Sequence, residues 1–402
     1  MKILLVCAAF PPRGKGGGPM GSFMIARSLL ARGHEVRVVS VGDKEALEHH
    51  EGIPVHLIRS PNLYWDYLHT QRAAWRKLLW HVLENFNPLA YVRLRPHLQA
   101  FRPDLVMTVS IENTNVATWL LARLHDTPIV HVIQSYFLLC WRGSLFKNGQ
   151  DCNGPCASCR VLSVGKKSLS SLVHGVFGET RFVLQEHLQR GYFKHARSAV
   201  IPGPVFPVPG RTPKRRHGPL VVGYMGVLAP HKGVDVLAAA ARALRPHERF
   251  QFLIGGTGED ANYVDALKLA FGEADVRFLG WIAPEQAYPL FDVLVVPSRW
   301  REPFGRIVVE ALAYGIPVIC SRSGGMAESI RERVNGLTFR SGDAVELTRL
   351  LRDVIEPDEA GRYALAVNAL RDSSAFDIDD IAASMDDFLT ATVDRFHARQ
   401  LP

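Results

Sequence analysis

Short runs of Val, Ile and Leu recur along the chain, each followed by a stretch whose apolar positions return at helical spacing. In the first half, strand-length runs lie at 2–7, 35–41, 55–58, 104–109 and 128–133, and helical spacing marks 21–31, 70–84, 88–101 and 114–124. A strand covered on both faces reads as an unbroken apolar run. Strands alternating with helices predict parallel sheets flanked by helices on both sides. Residues 201–219 break the pattern with prolines at 202, 204, 207, 209 and 213 and a basic run at 214–216, and read as a linker. Alternation then resumes, with strands at 220–225, 250–254, 276–279, 293–296 and 316–320 and helices near 234–244, 261–270 and 305–314. The expected organisation is a Rossmann-like domain over 1–205, a linker over 206–218 and a second Rossmann-like domain over 219–375. A terminal helix within 376–402 is expected to pack back on the first domain. Open α/β sheets bind ligands beyond the carboxyl ends of their strands, so two such domains are expected to share a site in a central cleft.

Composition narrows the class. The 402 residues are 47% apolar and 21% charged, which excludes a disordered chain, a fibrous repeat and a small disulfide-stapled module. The net charge of +8 is uneven: residues 1–210 hold 24 Lys and Arg against 13 Asp and Glu, whereas 211–402 hold 23 against 26. An anionic partner is therefore expected for the first half. No apolar run reaches the length of a membrane span, and the first residues read as a buried strand rather than a signal peptide, so a cytoplasmic protein is expected. Cys7 and Cys320 end apolar runs and read as buried thiols.

Three strings carry candidate chemistry. FPPRGKGGGPMG at 10–21 follows the first strand and opens a helix, where small residues and unpaired N–H groups suit an anion; the alternative is a flexible loop. GVLAPHKGVD at 226–235 places Lys232 after a strand and before a helix, as a phosphate partner or a solvated lysine. PSRWREPFGRIVVEALAYGIPVICSRSGGMAE at 297–328 sets Glu302 in a loop and Glu310 in the following helix, seven residues between them. The two carboxylates can meet one ligand at two depths.

The third string resembles the E-x7-E signature of retaining glycosyltransferases of family 4, which have the GT-B fold. The resemblance extends to VNGLTF at 334–339, GGTGED at 255–260, FLGWI at 278–282, RGHEVRVVS at 32–40 and the glycine-rich string at 10–21. It implies a nucleoside-diphosphate-sugar donor, with Glu302 at the donor sugar and Glu310 at the ribose hydroxyls. It also implies that backbone N–H groups near Phe304 and Gly305 hold the sugar and diphosphate. Lys232 would neutralise the departing diphosphate, Gly17 and Gly18 would close over the donor, and the base would lie near Trp281 and Ile282. The implied acceptor is a glycan or lipid-linked hydroxyl, and no metal is required for catalysis. Two positions depart from the family's pattern. Val227 stands where an arginine usually accompanies the lysine, with Arg301 or Arg306 as candidate substitutes, and Gln134 stands where a histidine often faces the acceptor. His131 reads as a core histidine.

Cys140, Cys152, Cys156 and Cys159 form a C-x11-C-x3-C-x2-C string, read as a structural zinc knuckle with reduced thiols or disulfides as alternatives. Residues 62–102 interleave Tyr64, Trp65, Tyr67, Trp75, Trp80 and Phe86 with arginines and Lys77. That mixture suits peripheral binding to an anionic membrane, the alternative being core aromatics beside solvated cations. An impaired donor-binding scaffold and a GT-B sugar-nucleotide epimerase are the other readings of the main motifs. A zinc-knuckle nucleic-acid binder leaves the C-terminal motifs unexplained, and no nucleic-acid partner is expected.

Overall fold

In a computed structural model, the chain is described over residues 1–14, 16–64, 73–206, 208, 210, 212, 218–244, 250–355 and 359–399. Most of the expected linker and Trp65, Tyr67 and Arg72 lie outside the described residues. The structure has two compact units. The first comprises 1–145, 152–204 and 378–402, and the second 146–151 and 205–377.

The strands of the first unit, with the hairpin inserted among them, are β1 (Lys2–Cys7), β2 (Glu35–Gly42), β3 (Ala46–His50), β4 (Ile53–Arg59), β5 (Leu105–Val109), β6 (Ile129–Ile133), β7 (Phe146–Lys147), β8 (Gln150–Asp151), β9 (Gly175–Gly178) and β10 (Arg197–Val200). The antiparallel hairpin β7–β8 groups with the second unit. The other eight form one sheet in the order β10-β9-β6-β5-β1-β2-β4-β3. All its pairs are parallel except β3 with β4. β5, β6 and β9 are buried at every position and mostly apolar, as strands covered on both faces are, with Thr108 and His131 the polar exceptions. The terminal helix Ile378–Ala398 supplies Ile381, Met385, Phe388 and Leu389 to this unit's core. It packs so closely that a Cβ on Gly175 would come within 3.0 Å of Thr392.

The second unit has β11 (Leu220–Met225), β12 (Phe250–Gly255), β13 (Val276–Gly280), β14 (Val293–Val296), β15 (Val318–Ser321) and β16 (Gly336–Phe339) in an all-parallel sheet ordered β13-β12-β11-β14-β15-β16. Its strand order reverses between β11 and β14, as that of the first unit does between β1 and β5. At such a point the loops beyond the strand ends diverge and leave room for a ligand. The helix expected from residue 21 begins at Gly17, with Gly16 before it at φ +99°. Gly17, Gly18 and Gly21 of the glycine-rich string therefore lie within the helix, and residues 10–14 form the turn before it.

Candidate functional site

The neighbouring strands β11 and β14 bring Lys232 and Glu302 together although seventy residues separate them. After β11 the chain makes a short turn at Pro230–Lys232, and Gly233 at φ +69° opens the helix Val234–Arg242. A side chain at Gly233 would collide with the Pro297 carbonyl, so the loop beyond β11 lies directly on the loop beyond β14. Two hydrogen bonds fasten them: Arg299 N and Trp300 N donate to His231 O at 2.9 and 3.1 Å. On its other side the β14 loop is laced to the loop beyond β15. Gly325 N donates to Glu302 O at 2.7 Å, Ser323 Oγ to Arg299 O at 3.2 Å and Ser321 Oγ to Ser298 O at 2.5 Å. Gly324, at φ +75°, could not carry a Cβ without striking the Glu302 carbonyl.

This lacing fixes a largely buried Glu302 carboxylate. Lys232 Nζ donates to Glu302 Oε1 at 2.6 Å, and Ser298 Oγ donates to the same oxygen at 3.2 Å. The ammonium also sits 4.9 Å from the centre of the Trp300 ring, a cation–π contact that helps hold it. Burial, with the Lys232 charge beside it, lowers the His231 imidazole below its ordinary value. That leaves Lys232 as the cation of this loop.

Glu310 lies one turn into the helix Arg306–Ala313. Tyr288 Oη donates to Glu310 Oε2 at 2.9 Å, and Arg306 Nε pairs with Oε1 at 3.2 Å. Burial pushes the Glu310 carboxyl up, and the Arg306 charge and Tyr288 hydroxyl oppose it. Burial likewise pushes the Tyr288 phenol up, so it remains a donor. Gly305, at φ +80°, abuts Met326 and caps the helix, while the Phe304 side chain is buried in the core. Only the Phe304 backbone is thus left to meet a ligand. Beyond β13, Trp281 is 77% exposed and Ile282 packs partly on the core.

Comparison with known proteins decides the class. Residues 16–204 match the model of a "glycosyl transferase 4-like domain", and residues 211–367 match "glycosyl transferases group 1". The chain is a GT-B glycosyltransferase. It is 27% identical over 82% of its length to a Klebsiella pneumoniae protein described as an uncharacterised 42.6 kDa protein in the cps region, covering 88% of that protein. It is 24% identical to an uncharacterised glycosyltransferase of Methanocaldococcus jannaschii, over 84% of each chain. In fold it is similar to sucrose-phosphate synthase of Thermosynechococcus elongatus, with a TM-score of 0.73, 20% identity and 97% and 98% of the two chains covered. It is also similar to Anabaena HepE in complex with UDP and glucose, with a TM-score of 0.70, 20% identity and 97% and 99% covered.

Within this glycosyltransferase the departing positions have definite surroundings. Val227 is 43% exposed, and its carbonyl accepts the Tyr224 hydroxyl at 2.9 Å. Each nearby arginine already faces a carboxylate. Arg306 faces Glu310, Arg299 faces Asp235, and Arg301 Nε lies 3.9 Å from Asp151 on the β7–β8 hairpin. Gln134, at the end of β6, donates to Glu179 Oε1 at 3.0 Å. His131 is buried within β6 against Thr108 Oγ1 at 2.9 Å, and burial lowers its imidazole to about 3.

Within the string at 10–21 the close approaches are at Gly14 and Gly21, while Gly17 and Gly18 are open. A Cβ on Gly14 would meet Ala9 and Pro19 at 2.8 Å, and one on Gly21 would strike the Gln134 amide. Gly17 has nothing within 4 Å, and Gly18 only Ser110 Oγ at 4.0 Å. Trp80 is buried, with its indole N–H on Tyr64 O at 3.1 Å, whereas Trp75 is 62% exposed.

The four cysteines are only partly gathered. Cys159 Sγ contacts both Cys156 Sγ and Cys140 Sγ at 3.5 Å. Hydrogen bonds from Ser158 and the Cys159 backbone lower the exposed Cys156 thiol to about 7, while burial pushes Cys159 up to about 12. Among the described residues, no three or more His, Cys, Asp or Glu side chains are grouped to hold a metal as they stand.

Ser298, Trp300 and Tyr288 support the key side chains and escaped the sequence reading. The first two lie inside the string at 297–328; Tyr288 lies upstream of it, where no motif marks it.

Proposed function

We propose that this glycosyltransferase transfers a sugar, with retention of anomeric configuration, from a nucleoside-diphosphate sugar to a glycan or lipid-linked acceptor hydroxyl. The observation that carries this reading is the Lys232–Glu302 contact at the strand-order reversal. Structures of similar fold hold UDP, UDP-glucose or ADP, which supports a nucleotide donor.

In the reaction the bond between the anomeric carbon and the diphosphate oxygen breaks, and the acceptor oxygen bonds that carbon from the same face. The acceptor proton passes to the departing diphosphate. Negative charge grows on the leaving group, where a fixed ammonium is most useful, so Lys232 would stabilise it as it leaves Glu302. Glu302 would then be free to accept a donor-sugar hydroxyl. Glu310, steadied by Tyr288, would accept the ribose hydroxyls, with the base near Trp281 and Ile282. No metal is assigned to these steps.

A panel of UDP-, GDP-, ADP- and dTDP-sugars, read by release of the diphosphate and by NMR of the product's anomeric proton, tests this. One donor turned over with retention is expected; inversion would overturn the retaining mechanism. Binding without turnover would favour a scaffold subunit, the reading that Val227 in place of arginine keeps open.

Separately, we propose that the cysteines take a structural zinc ion. Thiolates are the donors zinc prefers, and the Cys140–Cys159–Cys156 sulfur chain supplies three. Binding would require Cys152 and Cys156 to turn toward the Cys140–Cys159 pair. Metal analysis of protein purified without chelator should give about one zinc per chain; a metal-free, fully folded protein would refute it.

A further inference from the structure

Helix Ala74–Asn85 is packed with its apolar stripe outward. Trp75, Leu78, Leu79 and Val82 fall at i, i+3, i+4 and i+7, and Phe86 follows on the same face. Such a stripe ordinarily faces a core, yet these side chains are 62, 61, 41, 46 and 41% exposed. The inward face explains why the helix does not roll over. It carries Trp80 and the fully buried Glu84, whose carboxylate accepts Asn62 Nδ2 at 2.6 Å and Asn113 N at 3.0 Å. Rolling the stripe inward would strip a buried carboxylate of its donors, which costs more than an exposed leucine does.

The apolar face continues onto both neighbours. At the start of helix Pro88–Phe101, Leu89 and Val92 are 40 and 60% exposed. On the other side Gly165 N donates to Asn85 Oδ1 at 2.9 Å, and that contact sets Val164, 60% exposed, beside the end of the stripe. The exposed charges on the described residues of these segments have one sign. Arg76, Lys77, Arg95, Arg160 and Lys167 are exposed, and the only acid within 73–102 or 153–172 is the buried Glu84.

We propose that this face docks the first unit onto an anionic lipid surface. The exposed Trp75 and aliphatic stripe would enter the headgroup boundary, and the surrounding cations would meet lipid phosphates and carboxylates. An apolar face whose exposed charges, among the described residues of 73–102 and 153–172, are all cations is complementary to that surface. The inference does not depend on the transfer chemistry, because the residues concerned lie outside the second unit.

Flotation of the purified full chain with vesicles tests it. One set is phosphatidylcholine alone and the other contains about one third phosphatidylserine. Binding to the anionic set, weakened by raised salt, is expected. The double variant Leu78→Ser/Val82→Ser should lose that binding by about tenfold or more, and Arg76→Glu/Lys77→Glu should lose its salt-sensitive part. Leu269→Ser, which alters another exposed leucine on the second unit, should leave it unchanged. Nucleotide binding and melting temperature should be the same in all these proteins, which separates failure of docking from failure of the fold or of the transferase reading. Equal binding to both vesicle sets, no binding to either, or unaltered binding by the double variant would overturn the proposal. So would a wild-type dimer that becomes a monomer in the double variant without any vesicle binding.

Discussion

Lys232 and Glu302 form a partly buried ion pair whose members would have different tasks in the proposed reaction, and so the site's residues should separate kinetically. The ammonium is most useful when the diphosphate departs, so Lys232→Ala should lower kcat by about a hundredfold or more and change donor KM less. Glu310 would hold the ribose equally in the ground state and the transition state. Glu310→Gln should therefore raise donor KM about tenfold with little change in kcat. The two variants, measured with the same donor, distinguish these roles. Equal effects on both constants in both variants would mean that the pair only supports the loops. Burial of Glu310 beside Tyr288 makes Gln the suitable replacement, since its carbonyl oxygen can still accept the phenol while the charge facing Arg306 is lost.

At the scale of elements, the site depends on three loops laced across adjacent strands, with close backbone approaches at Gly233 and Gly324. Gly324→Ala would drive a Cβ into the Glu302 carbonyl at φ +75°, backbone against backbone. Gly342 has a similar φ of +81° with nothing within 4 Å. Gly342→Ala should therefore carry only the conformational cost, on the order of 1 kcal/mol. Gly324→Ala should cost several times that and also reduce donor binding. Thermal unfolding with and without the bound nucleotide compares them, and equal effects would show that the collision relaxes freely. The same lacing explains what was legible in the sequence. The strings at 226–235 and 297–328 showed Lys232, Glu302 and Glu310 as chemistry, because loops after strands concentrate it. That Lys232 touches Glu302, and that Tyr288 supports Glu310, depends on β14 lying beside β11, which spacing along the chain does not encode. Most central strands were legible as apolar runs; β9, only four residues long, was not. β3, with the sequence ALEHH and half-exposed positions, was not, because an edge strand has one ladder and little apolar covering. The two-residue strands β7 and β8 are too short for any period to show.

On the scale of the whole molecule, the first unit buries two histidines that its acid stability must reflect. Burial lowers His131 to about 3 and His187 to about 4, from an ordinary value of 6.5. Below pH 6.5 the unfolded chain binds protons that the folded unit refuses, so stability is fully present above that pH and falls progressively toward pH 4. At pH 5 each histidine should have removed about 2 kcal/mol. Denaturant unfolding at pH 7 and pH 5 measures this, and His187→Gln should reduce the difference; a flat profile would show that both imidazoles protonate within the fold. The uneven net charge also has a place in this picture. The basic first unit presents some of its exposed cations beside an apolar face. The second unit holds 22 Lys and Arg against 22 Asp and Glu, so in the proposed function a local lysine rather than net charge would meet phosphate. The central claim is that this lysine and its carboxylate partner carry out sugar transfer. The most direct measurement is release of nucleoside diphosphate from the matching donor by the wild-type protein and by Glu302→Gln and Lys232→Ala. Turnover by the wild type, with loss of about a hundredfold or more in each variant at unchanged melting temperature, is the result expected. Wild-type rates in both variants would contradict the assignment of the site.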